Sequence, residues 1–65
     1  MEGTVKKWLN FRGFGFIEVD DSDDDVFVHN SELSGVSTLK TGQKVDFEIE
    51  NAPKGPRAIN VKIIE

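Results

Sequence analysis

Hydrophobic residues recur at every second position in short runs along the chain, and no segment carries a helical period. EGTVKKWL (2–9) predicts a first strand, with a turn at Asn10 to Arg12. GFGFIEV (13–19) predicts a second strand and DVFVHN (25–30) a third, with the acidic DDSDD (20–24) as the hairpin tip between them. SELSGVSTLKTG (31–42) reads as a long loop with room for one short helical turn. QKVDFEIE (43–50) alternates cleanly, placing Val45, Phe47 and Ile49 on one face and Asp46, Glu48 and Glu50 on the other. NAPKGP (51–56) is a turn by its prolines and glycine, and RAINVKIIE (57–65) predicts a fifth strand. Five short strands in so small a chain leave sheet edges that only closure removes. The expected fold is all-β, a five-stranded antiparallel OB-type barrel in a single domain spanning 1–65; an SH3-like barrel is the alternative.

Strands two and three sort their side chains by chemistry. Phe14 and Phe16 share one side of the second strand, and Gly15, Ile17 and Val19 the other. In the third, Val26 and Val28 oppose Phe27 and His29. If the two strands pair, Ile17, Val19, Val26 and Val28 form one aliphatic layer. Val5, Val45, Phe47, Ile49 and two or three of Ile59, Val61 and Ile63 complete a core. Phe14, Phe16, Phe27 and His29 are then left facing water, although a single phenylalanine in a small β protein is ordinarily core. A contiguous exposed aromatic patch marks an interaction surface. With Lys6, Lys7 and Arg12 close in sequence, the patch has the components of a platform for stacking nucleic-acid bases.

Composition narrows the alternatives. The chain has 65 residues, no cysteine and one histidine, so neither a disulfide, a thiolate zinc site nor a multi-histidine metal cage is available. No run approaches the roughly 18 apolar residues of a membrane span. The opening MEGTVKK lacks the apolar stretch of a secretory signal, so a soluble cytoplasmic protein is expected. The net charge of -4 argues against affinity built on a basic surface. Binding to nucleic acid must come mainly from stacking, with a few local cations steering the backbone.

RGFGFIEV (12–19) followed by DVFVH (25–29) resembles the paired RNP-type motifs of the cold-shock domain family, in that family's order and within an all-β chain. EGTVKKWLN, GQKVDFEIE and KGPRAINV extend the resemblance over nearly the whole chain. It implies a five-stranded OB barrel that binds single-stranded RNA or DNA on its aromatic face and acts as an RNA chaperone. Trp8, Phe14, Phe16, Phe27 and His29 are the implied stacking residues. Lys6, Arg12 and Lys54 are implied to meet phosphates or bases, and Asp25 to offer an acceptor to a base edge. Arg57 joins them from its place beside the KGP turn. Where the family commonly reads V-K-W-F-N, this chain has Val5-Lys6-Lys7-Trp8-Leu9-Asn10. One lysine is extra, so the facing of Trp8 turns on a bulge. Asn30 stands where the family commonly has an aromatic, and the 31–42 loop has none. Phe11, in the first turn, either supplies an additional stacking position or packs locally.

Other chemistry is weakly supported. DDSDDD (20–25) lacks the glycine and the glutamate that a calcium loop needs at its sixth and twelfth positions, which hold Asp25 and Ser31. Asp25, His29 and Ser31 contain the side chains of a hydrolytic triad, but nothing supplies an oxyanion hole. The expected protein is a monomer that is not an enzyme and takes no metal or cofactor. Two further readings stay open: a barrel whose aromatic patch docks on another protein, and an OB-fold factor that binds structured RNA on the ribosome.

Overall fold

The computed structural model describes residues 1–20, 22 and 24–64. Asp21 and Asp23 of the expected acidic tip, and Glu65 at the end of the expected fifth strand, lie outside the described residues. Five strands form a closed barrel: β1 (Glu2–Leu9), β2 (Phe14–Val19), β3 (Asp25–His29), β4 (Lys44–Ala52) and β5 (Gly55–Ile63), in the spatial order β1-β2-β3-β5-β4. A single 3-10 turn, Asn30–Glu32, follows β3. The sheet is not wholly antiparallel as expected. β3 runs parallel to β5 through Phe27–Arg57 and Val28–Ala58, because the long connection from β3 to β4 lets the closing strand return in the same direction. The 51–56 turn shrinks to Pro53 and Lys54, with Ala52 and Gly55 already paired in the ladder.

The core is the apolar layer that alternation implies, aliphatic but for Phe47. Val5, Ile17, Val26, Val28, Val45, Phe47 and Val61 are buried, with Val19 and Ile63 packed partly buried against them. Leu39, from the loop, and Ala58 complete the layer, with Leu33 at its margin. Ile49 departs from expectation and is 38% exposed. β1 pairs with β4 only as far as Asp46, so among the described residues β4 from Glu48 onward pairs with β5 alone, which leaves Ile49 partly uncovered.

Two bulges adjust which side chains face inward. In β5 the register shifts opposite Asp46 and Glu48, and Asn60 there takes a left-handed backbone conformation (φ 52°). The extra residue brings Ala58 and Val61 to the same inner face, three positions apart, and leaves Ile59 out of the core. Asn60 is among the residues that tolerate this conformation, and its side-chain amide donates to Glu48 Oε2 at 2.7 Å. In β1 the shift falls between Val5, opposite Ile17, and Lys7, opposite Phe16. Lys6 is the additional residue, so the extra lysine of the sequence is absorbed as a bulge.

Candidate nucleic-acid interface

Registers across the sheet assemble the outer face in rows. One row runs Lys7–Phe16–Phe27–Arg57 over β1, β2, β3 and β5. The next runs Leu9–Phe14–His29, and on the other side Glu18 stands opposite Asp25. Cross-strand partners point the same way, so the sequence motifs of β2 and β3 converge on one surface. Phe14 and Phe27 have ring centroids 5.5 Å apart, Phe16 and Phe27 6.1 Å, and Phe14 and Phe16 6.4 Å. Edge and tilted contacts of this kind let each ring support its neighbours. Phe27 is 36% exposed, while Phe14 and Phe16 are half-buried by one another.

The glycines between the phenylalanines are explained by this packing. A Cβ on Gly15 would stand 2.1 Å from the Lys7 carbonyl oxygen and 2.8 Å from Trp8 Cε3, so the bulged part of β1 can approach β2 only over a bare backbone. Gly13 takes φ 71°, the left-handed conformation that closes the β1–β2 turn.

The structure does not bring Trp8 to the ring face. The bulge reverses the alternation beyond Val5, and Trp8 lies opposite Gly15, on the side of Ile17. It packs partly buried against the core, with its indole N–H buried and without a hydrogen-bond partner among the described residues. Lys7 takes the outward position beside Phe16, and Leu9 the one beside Phe14. In the sequence Lys7 is only a neighbour of the first ring, and the doubled lysine there is the one signal of its place.

The polar residues fall into two groups. Lys6 Nζ lies 3.2 Å from Asp25 Oδ2, and Arg57 pairs with Glu50 through Nη2 at 2.7 Å and Nε at 2.9 Å. Lys7, Arg12 and Lys54 have no carboxylate partner among the described residues. Lys54 and Arg57, with Pro53 and Pro56, line an open groove of about 640 Å³ that begins at Phe16 and Phe27. The face therefore has free cations at its β1 end and on the β4–β5 hairpin, within an acidic protein.

His29 ends β3 and caps the 3-10 turn. The backbone N–H of Ser31 donates to its Nδ1 at 3.2 Å, and Ser31 Oγ lies 2.9 Å from the same nitrogen. Accepting the backbone bond leaves Nε2 to carry the proton of the neutral ring. Ser31 is thus engaged in capping, and Asp25 is held by Lys6 at the other end of β3, so the three residues form no relay. Phe11, at the tip of the β1–β2 turn, is fully exposed, which removes the reading that it packs locally.

The chain is similar to known proteins over nearly its whole length. A "Probable cold shock protein A" of Mycolicibacterium smegmatis is 52% identical over 66 residues, covering 97% of each chain. A "Cold shock-like protein" of Thermotoga maritima is 49% identical over 67 residues, covering both chains entirely. The fold matches the solved structure "drosophila Unr CSD456" with a TM-score of 0.81 at 22% identity, over 98% of this chain and 26% of that longer one. The family model described as the 'Cold-shock' DNA-binding domain matches residues 1–64, and with relatives this similar the chain belongs to the cold-shock domain family.

Proposed function

We propose that the protein binds single-stranded RNA or DNA by stacking bases on Phe14, Phe16, Phe27 and His29, and so acts as an RNA chaperone. The observation that carries this reading is the cluster of rings: Phe14, Phe16 and Phe27 in mutual contact on the face opposite the buried core. Stacking on an aromatic ring contributes roughly 1–3 kcal/mol per base with little sequence preference. By binding the open form of an RNA better than its folded form, the protein holds it unpaired by mass action, without nucleotide hydrolysis. Asp25 and the Nε2–H of His29 offer an acceptor and a donor to base edges, Lys7, Arg12 and Lys54 meet backbone phosphates, and Lys6 and Arg57, each already paired with a carboxylate, offer N–H donors to bases.

One copy carries the whole row from Lys7 to Arg57, which supports action as a monomer, and the family match over 1–64 supports reading 1–65 as one domain. Among the described residues no helix is long and apolar enough to cross a membrane; family membership supports the cytoplasm as the site of action. NMR titration with oligothymidylate tests the proposal: the ring signals of Phe16 and Phe27 shift with added strand. Ring signals that stay unmoved at saturating oligonucleotide would overturn it.

Charge has a smaller part, and its size is measurable. With Lys7, Arg12 and Lys54 each neutralising one phosphate, log K should fall against log salt with a slope of about -2, at roughly -0.7 per single-strand contact. Lys7→Ala is expected to make the slope shallower by about 0.7, and Lys62→Ala to leave it unchanged. A wild-type slope steeper than about -5 would mean that phosphate contacts outweigh stacking.

A further inference from the structure

We propose that Phe11 is a base-stacking position outside the sheet, extending the site by one nucleotide beyond the Leu9–Phe14–His29 row. The inference rests on the reading of the ring face as a base platform. Three observations carry it. The ring is 105% exposed, whereas the other exposed large apolar side chains described are 36–59% exposed, so it contributes nothing to packing.

The turn that presents it is pinned. The Leu9 carbonyl accepts from Arg12 N at 3.0 Å and from Gly13 N at 2.9 Å, and the Gly13 carbonyl accepts from Asn30 N at 2.8 Å. The backbone N–H of Asn30 thus fastens the turn to the end of β3. The ring stands on fixed backbone, with little ordering left for a ligand to impose.

The surroundings select the occupant. Leu9 lies beside Phe14, so the turn continues directly from the ring face. Phe11 is flanked by exposed Asn10 and by Arg12, which has no carboxylate partner among the described residues. Beyond Leu9 its immediate neighbours are an amide and a free cation, not the contiguous apolar surround of a protein-docking patch. It suits a flat base whose phosphate is met by the guanidinium.

The test compares wild type with Phe11→Ala on oligothymidylates lengthened one nucleotide at a time. Phe11→Ala is expected to match wild type on oligomers short enough to occupy the sheet rows alone. It should weaken binding about fivefold on longer ones, the low end of one ring's stacking. Its affinity should level off one nucleotide sooner, its thermal unfolding should be unchanged, and Phe11→Trp should restore the full length dependence. Equal affinity at every length would overturn the proposal, as would an equal loss at every length. Self-association of wild type that Phe11→Ala abolishes in sedimentation would assign the ring to a second copy and also overturn it. Failure of wild type to bind at any length would instead bring down the platform reading itself.

Discussion

Ile17→Ala is expected to lower the midpoint of thermal unfolding by roughly 10–30 °C, following a loss of about 2–5 kcal/mol. Ile17 is fully buried and sits in β2 between Val5 on β1 and Val26 on β3. Truncating it removes apolar contact at the centre of the layer, and strands paired on both sides restrict collapse into the space. A domain of this size has a total stability of only about 3–10 kcal/mol, so the variant is expected to be partly unfolded at physiological temperature. Trp8 packs against the same core, so its emission reports the transition. Below that transition, nucleic-acid binding by the folded fraction should match wild type. A fall of less than about 5 °C would mean that Ile17 is not a central core residue.

Phe27→Ala is expected to do the reverse. Its loss should weaken binding of oligothymidylate by about 1–3 kcal/mol, a factor of roughly 5 to 150, while thermal unfolding moves little. Phe27 is the most exposed of the three clustered rings and touches both others, so its removal takes one stacking surface and loosens two. Phe16→Ala should act similarly, and the double variant should lose less than the sum, because the rings support one another. Val26 and Val28 stay sealed beneath in either case. An unfolded Phe27→Ala variant would show that the ring is structural and the face assignment wrong. Isothermal titration beside a melting curve reads both quantities on one sample.

Much of this arrangement is visible in the sequence because period-2 alternation is strong where strands are regular. Ile17, Val26 and Val28 against Phe14, Phe16 and Phe27 is such a case, and the core and ring face follow from it. What alternation cannot show is where a strand takes an extra residue. The bulge at Lys6 reverses the facing of everything after it in β1, exchanging Trp8 for Lys7 on the outer surface. The bulge at Asn60 likewise replaces Ile59 with Ala58 in the core. Leu39 was hidden differently: a single leucine in a polar loop has no period, and only the closed barrel shows that it is covered. The parallel pairing of β3 with β5 depends on long-range closure, about which local pattern says nothing.

That pairing has a consequence for how occupancy and stability are linked. Limited to Phe27–Arg57 and Val28–Ala58, with an isolated bridge at Leu33–Val61, it is the shortest strand pairing of the barrel, where local opening is expected first. Amides there should exchange with solvent sooner than those of the β4–β5 hairpin. The Lys7–Phe16–Phe27–Arg57 row crosses this pairing, from Phe27 to Arg57. A nucleotide strand lying along the row would therefore clasp both margins and slow exchange of the Val28 and Ala58 amides as the site fills.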